Sequence, residues 1–362
     1  MYLSVNILIP PLLSCFELKS FSKMQAWQYS TTGQDIVAAL ELKNLDIPAK
    51  SSLRKDELLI EVISASINPV EYKISEASGV MSSFLLSLPA TPGLDFCGRV
   101  AAKHKDCSAF QEGQNVFGAL SSAFIKAGTL ARFVVVNSNQ CVLLPPGVDP
   151  DQAAATGTAA LTAYQSLFPN STTQPGSHVL INGGSGGIGT FAIQMAKARN
   201  IHVTVTCSTP NIELCKAVRA DEVIDYTKCD LISELTQRGQ VFDSVLDNVG
   251  VPDNLYHKSH QFLKPSGTFV LVAANPNVSG MARIARLFMQ PSLLGGGQRR
   301  LTWTMVETKQ ADLTQIAEWL ADGSLRTTVD STFEFEDVPK AFQKLKLGRT
   351  KGKIVIHVAK QP

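Results

Sequence analysis

VLINGGSGGIGTFAIQMAKARNIHVTVTC, residues 179–207, is the stretch whose reading decides the fold. Val179 to Asn182 reads as a short strand, and Val203 to Cys207, rich in β-branched residues, reads as a second. Between them Ile188, Phe191, Ala192 and Met195 fall at i, i+3, i+4 and i+7, the spacing of one buried helix face. The strand-to-helix turn carries G-x-G-x-x-G as Gly184-Ser185-Gly186-Gly187-Ile188-Gly189. Alone that pattern says little. Placed directly after a strand and opening a helix, it aims free backbone N–H groups and the positive end of the helix at a pyrophosphate.

The alternation continues outward. Val223-Ile224 and Phe242 to Leu246 read as strands, Asn254 to Leu263 as a helix, and Thr268 to Ala273 as a further strand. Upstream, Gln152 to Leu167 reads as one helix, broken after Pro169. These elements predict a doubly wound parallel sheet over 147–300. Residues 275–300 depart from the pattern, with Pro276, Pro291 and Gly295-Gly296-Gly297 beside the apolar stretch Met281 to Met289. They form either a lid or subunit contact or an irregular surface excursion. Residues 301–362 supply helices at Leu313 to Leu320 and Val338 to Leu347 and a closing strand, Lys353 to Val358. From 24 to 146 short strand-like runs separated by Pro and Gly predict a compact β-rich domain. Residues 1–23 read as an extension: Pro10-Pro11 interrupts the apolar run from Ile7 to Leu13, and no base precedes it as a secretory signal requires. The expected compartment is the cytoplasm, with organelle targeting by this extension left open.

With 362 residues, 44% of them apolar, the chain can bury two cores. A net charge of +2 from 33 bases and 31 acids provides no field for nucleic acid. The seven cysteines include no C-x-x-C pair, so neither a disulfide framework nor a zinc cluster is implied. No run reaches the ~18 unbroken apolar residues of a membrane span. A small-molecule substrate is the expected partner.

Cofactor choice is decided at the end of the second strand, where an acid would bind the ribose 2′-hydroxyl of NAD. The chain reads Thr206-Cys207-Ser208-Thr209-Pro210-Asn211 there, hydroxyls and an amide suited to a 2′-phosphate, with Lys216 one helical turn on. The first acid, Glu213, falls inside the next helix. NADP(H) is therefore expected, although Lys216 alone also reads as a solvated surface lysine.

Several segments in this order resemble the medium-chain dehydrogenase/reductase superfamily, in its zinc-independent quinone oxidoreductase and fungal trans-enoyl reductase branch. They are Ile67 to Lys73, Pro92 to Gly98, Gly128 to Val134, Leu161 to Tyr164, the glycine loop, Asp225-Tyr226, Asp247 to Gly250 and Gly352 to Val355. The resemblance implies a GroES-like β domain that supplies the substrate cleft, a Rossmann domain, and a chain end that returns to the first domain. It implies that Val70, Glu71, Tyr72 and Lys73 line the cofactor and that Ser185 to Ile188 hold the pyrophosphate. Ser208, Asn211, Lys216 and Tyr226 would surround the 2′-phosphate, Tyr226 having packing on the sheet as its alternative. Asn248, from Asp247-Asn248-Val249-Gly250, joins the cofactor set, with Val272 and Ile354 at the nicotinamide end.

The zinc positions of the alcohol dehydrogenase branch are vacant: this chain has the Asn68-Pro69-Val70-Glu71 loop in place of a cysteine, and Gly93-Leu94-Asp95 in place of Gly-His-Glu. His257 and His260, at i, i+3, read as surface or capping residues, and no metal is expected. Without a Lewis acid the natural chemistry is hydride transfer to an activated C=C bond or quinone. Tyr72 and then Lys73 are the candidates to bind the carbonyl or give the proton, unless water does. Thr162, Tyr164 and Leu294 are expected in an apolar substrate pocket. The substrate would be a polyketide-like or other small molecule, free or on a carrier protein. A zinc-free carbonyl reductase and a nucleotide-binding protein of little turnover are the alternatives. A homodimer is compatible with the apolar Met281 to Met289.

Overall fold

The computed structural model describes residues 23–77, 86–121, 127–272, 278–291 and 296–359. Leu294 and residues 1–22 of the expected extension lie outside them.

The first domain opens with the hairpin of β1 (Lys23–Gln28) and β2 (Glu41–Asp46), with α1 (Ile36–Ala39) between them. Then come β3 (Glu57–Ile67), α2 (Pro69–Ser75), β4 (Asp95–Lys103), β5 (Asn115–Ala119), β6 (Phe133–Asn137) and β7 (Cys141–Leu143). β3 is the organising strand, pairing antiparallel with both β4 and β6. Its apolar residues Leu58, Ile60 and Val62 are wholly buried, because period-2 alternation puts them on one face. α2 starts at Asn68-Pro69, where proline at the first helical position gives up an N–H that has no helical partner.

The second domain runs α3 (Pro150–Ala154), α4 (Gly157–Leu167), β8 (His178–Asn182), α5 (Gly187–Ala198), β9 (His202–Cys207), α6 (Ile212–Ala217) and β10 (Glu222–Asp225). It continues through α7 (Leu231–Gln237), β11 (Phe242–Asp247), α8 (Leu255–Lys258), β12 (Leu263–Leu271), α9 (Val278–Met289), β13 (Arg300–Trp303) and α10 (Gln310–Ala321). The strand order is β10-β9-β8-β11-β12-β13, and every pairing is parallel. The order reverses between β8 and β11, so the carboxyl ends of those strands form the crevice where such sheets bind ligands. The face of α5 read from the sequence is the buried one: Phe191, Ala192 and Met195 have no exposed surface, while Ile188 in the first turn is half-buried. No helix among the described residues is long and apolar enough to cross a membrane.

Two sequence readings change. The single helix expected over 152–167 is split into α3 and α4, because the Asp95 carboxylate enters at the break. Its Oδ1 accepts hydrogen bonds from the Thr158 backbone N–H at 2.7 Å and hydroxyl at 2.6 Å, capping α4 from another domain. The helix expected over 254–263 stops at Lys258 and gives way to a 3₁₀ turn, and β12 begins at Leu263.

The chain then re-enters the first domain. β14 (Val329–Glu334), α11 (Val338–Lys346) and β15 (Lys353–His357) complete it, with β15 antiparallel to β3 in register Ile354 to Ile67. Phe335, Val338 and Phe342 fill the same core as Trp27, Ile60 and Phe96, and the Trp27 indole N–H donates to the Phe335 carbonyl at 2.7 Å. Phe342→Ala is expected to destabilise the first domain by ~3–5 kcal/mol in denaturant unfolding. A loss of less than about 1 kcal/mol would show that the chain end merely lies on that domain.

Candidate active site

The glycine loop is set by its neighbours before any ligand arrives. Asn182 donates to Asp247 Oδ1 and to the Val251 carbonyl, both at 2.8 Å, and accepts from Thr206 Oγ1 at 2.6 Å. The Gly183 N–H donates to Thr206 Oγ1, fixing the turn against β9. Gly183 has φ +89°, a left-handed conformation that glycine adopts without strain. At Gly189 a Cβ would sit 2.2 Å from the Gly183 carbonyl, so helix and strand approach only because it is absent. Gly186 differs: a Cβ there would meet nothing nearer than 3.9 Å, and as the N-cap of α5 it has no side-chain cap. The first-turn N–H groups of α5 have no partner within the helix, the condition an anion site requires.

At the end of β9, Asn211 Nδ2 donates to Ser185 Oγ at 3.1 Å and to Ser208 Oγ at 3.2 Å, gathering three residues expected around the pyrophosphate and the 2′-phosphate. Asn211 Oδ1 is buried without a partner. Lys351, which the sequence reading missed, brings its ammonium to the Pro210 carbonyl at 3.4 Å. An acid also reaches this turn from the neighbouring strand: Asp225 accepts from Thr209 Oγ1 at 2.6 Å, and bonds from Thr209 and Thr227 hold its carboxyl below the usual range. Tyr226 is 47% exposed beside it. Lys216 is paired with Glu213 at 3.0 Å on the exposed face of α6, the setting of a solvated lysine.

Across from the loop stands a buried polar cluster that the sequence reading named only in pieces. Asp95 Oδ2 accepts from Ser66 Oγ at 2.8 Å, Asn68 Nδ2 at 2.9 Å and Lys353 Nζ at 3.2 Å. The Lys353 ammonium also donates to Asn68 Oδ1 and to the Ile67 carbonyl. Glu71 lies against this cluster, accepting from Asn68 Nδ2 at 3.3 Å, and its Oε2 has no partner. Burial and then the Asp95 charge push the Glu71 carboxyl up to about 8. The missed signal was Lys353, a lone charge at the start of an otherwise apolar strand. The strand and the loop meet directly: the Gly352 N–H donates to the Ser185 carbonyl at 3.0 Å.

The remaining expected residues divide. Asn248, at the carboxyl end of β11, has both amide atoms buried without partners, and so does the Thr129 hydroxyl, another residue the reading missed. Ser259 and Thr268 also carry unpartnered hydroxyls, so position rather than orphan status marks a site. Val272 is half-buried and donates its N–H to the Asp247 carbonyl, and Val70 packs at the edge of the first core. Lys73 is half-buried, and burial lowers the pKa of its amine. Tyr72 packs on the first core under the Lys346 ammonium, 5.9 Å from the ring centre, and burial raises its phenol.

Three expectations need correction. The Ile354 side chain is wholly inside the first core, with no surface to offer a ligand. Tyr164 packs against Phe168 and Trp319 at 5.0 and 5.9 Å between ring centres, a structural aromatic cluster. Thr162 spends its hydroxyl on the Thr158 carbonyl at 2.7 Å. His260 Nδ1 faces the His257 carbonyl at 2.9 Å, a capping contact.

Residues 54–146 match a family described as the alcohol dehydrogenase GroES-like domain, and residues 218–356 match one described as zinc-binding dehydrogenase. The chain is 40% identical over 348 residues to the trans-enoyl reductase pgmF of Aspergillus terreus, covering 93% of this chain and 97% of that one. It is 32% identical over 361 residues to a mitochondrial NAD(P)H oxidoreductase of Mus musculus, covering 92% and 89%. The quinone oxidoreductase of Coxiella burnetii superposes with a TM-score of 0.80 at 27% identity, over 93% of this chain and all of that one. The chain belongs to the medium-chain dehydrogenase/reductase family and is an oxidoreductase that uses a nicotinamide cofactor.

The orphaned Asn211 Oδ1 and Asn248 amide, the open Gly186 and the uncapped helix end fit such a dinucleotide. Zinc, implied by one family description, does not fit the cleft. The Lys353 ammonium already occupies the donor set of Asn68 and Asp95, which offers neither thiolate nor imidazole. Cys97, two residues on, packs into the second core.

A raised Glu71 pKa has a consequence for stability. The folded protein keeps this proton up to about pH 8, whereas the unfolded chain releases it in the ordinary carboxylate range. Folding stability therefore falls as pH climbs through that window. Glu71→Gln is expected to flatten the decline in melting temperature between about pH 5 and pH 8. Parallel declines in variant and parent would show that Glu71 is not held neutral.

Proposed function

We propose that this protein is an NADPH-dependent reductase that delivers hydride, without a metal, to a C=C bond conjugated to a carbonyl, as in an enone, enoyl thioester or quinone. The observation that carries this reading is the Lys353 ammonium locked between Asn68 and Asp95, where the zinc-dependent branch would place its Lewis acid. A saturated carbonyl there lacks its electrophile, whereas a conjugated acceptor needs only its oxygen stabilised as charge moves onto it.

The chain's own groups fall into three roles. The first-turn N–H groups of Gly187 and Ile188 would hold the pyrophosphate. Ser185, Ser208 and Asn211, with Lys351 beside them, would hold the 2′-phosphate, Lys351 offsetting the charge of Asp225. Asn248 would spend its amide on the bound dinucleotide. Dihydronicotinamide supplies the hydride when bound. Lys73 takes precedence over Tyr72 as the group that meets the substrate oxygen and returns a proton. Burial makes its ammonium a stronger acid than an ordinary lysine, whereas Tyr72 is engaged with the core and Lys346. Orientation of the two reactants in a dry cleft would contribute ~7–11 kcal/mol of the rate. The trans-enoyl reductase relative supports the enoyl thioester arm, the quinone oxidoreductase neighbour the quinone arm.

Consumption of NADPH followed in parallel with an α,β-unsaturated ketone, its saturated counterpart and a quinone tests the reaction. Turnover is expected with the unsaturated ketone or the quinone and not with the saturated ketone. Equal turnover of the saturated ketone would make this a carbonyl reductase, and binding without turnover of any would make it a nucleotide-binding protein. Ser208→Asp is expected to raise the KM for NADPH by about tenfold or more, equivalent to ~1.4 kcal/mol or more, while leaving NADH nearly unchanged. Equal effects on both would undo the 2′-phosphate assignment.

A further inference from the structure

At the amino ends of the second sheet's strands, opposite the glycine loop, lies a cluster the reaction does not use. His178 opens β8 and His202 opens β9, and the parallel register sets them side by side. Glu222 opens β10, opposite Thr204, two residues on from His202 and on the same face. The two imidazoles meet edge to face, 4.3 Å between ring centres at 89°. One ligand-type atom from each of His178, His202 and Glu222 lies within 4.8 Å of the others.

We propose that His178, His202 and Glu222 form a binding site for a divalent zinc-class ion, which staples β8, β9 and β10 together at their amino ends. Two imidazoles and a carboxylate are a borderline-soft set that favours zinc over magnesium or calcium. Arg238 takes Glu222 Oε2, leaving Oε1 turned to His202 Nε2 at 3.2 Å. Around the ligands Asp221 and Glu234 balance Lys197 and Arg238, so the Glu222 carboxylate supplies the site's negative charge. His178 Nε2 now contacts Thr204 Oγ1 at 2.8 Å, a bond that one ring nitrogen would exchange for the metal or retain as an outer contact. His202 is exposed, so its ring can turn to bring the three ligand atoms to the ~3.3 Å spacing that metal–ligand bonds of about 2 Å impose. Three protein ligands leave the fourth position to water.

The sequence reading expected no metal because it weighed the cysteines, the cleft positions and the His257/His260 pair, and not histidines brought together by strand pairing. His178, His202 and Glu222 are more than a helical repeat apart along the chain and meet only through strand pairing. The site lies at the sheet end away from the dinucleotide crevice, so its role is structural and does not depend on the proposed reaction.

The test is calorimetric titration of ZnCl₂ into the full-length, chelator-treated protein near neutral pH, alongside melting temperatures with and without zinc. One site per chain and a zinc-dependent rise in melting temperature are expected. His202→Gln and Glu222→Gln are expected to weaken zinc by about tenfold or more and to lose the rise in melting temperature. His202 is exposed, so that variant folds, whereas His178 also packs on Phe242 at 4.6 Å. Cys229→Ser, which removes the one exposed thiol among the described residues, is expected to leave binding unchanged. Absence of binding at about 100 μM zinc, or binding by His202→Gln equal to the parent, would overturn the proposal.

Discussion

Asp95 Oδ1 accepts from the start of α4, and Asp95 Oδ2 accepts from Ser66 and Asn68 of the first domain and from Lys353 of the returning chain end. Three separated segments therefore meet on one buried carboxylate. A buried charge of this kind is costly to desolvate and is tolerated only when its lone pairs are filled. Losing one partner of such a pair costs ~3–5 kcal/mol, which is why the arrangement specifies one relative placement of the segments. The consequence reaches the nucleotide site, since Gly352, beside Lys353, donates its N–H to the Ser185 carbonyl. It also reaches Glu71, where burial first and then the Asp95 charge raise the carboxyl's pKa.

The sequence was most legible where local pattern and backbone requirement coincide. The 179–207 unit showed its strands, the buried face of α5 and the glycine loop, because each rests on spacing within a few residues. The break between α3 and α4 was illegible for the opposite reason: the group that makes it, Asp95, is 63 residues from Thr158. Tyr164 and Ile354 were misplaced because a family motif gives a residue's position and not the direction of its side chain. Thr129 and Lys351 went unnoticed since a lone threonine and a surface lysine carry no pattern. His178 and His202 became neighbours only once strand register was known.

Cofactor choice is a balance of charges that the sequence showed only in part. Reading along β9 finds no acid at Ser208, but the adjacent strand supplies Asp225 to the same turn. Lys351 approaches from the chain end with the opposite sign. The 2′-phosphate reading therefore rests on Ser185, Ser208, Asn211 and Lys351 acting together.

Conjugate hydride transfer marks the carbon that receives the hydride. With NADPH carrying deuterium at C4 of the nicotinamide and an α,β-unsaturated ketone as acceptor, the product is read by NMR and mass spectrometry. Conjugate transfer yields a saturated ketone with deuterium on the β-carbon. Deuterium on the carbinol carbon of an allylic alcohol, or recovery of unlabelled ketone, would contradict it.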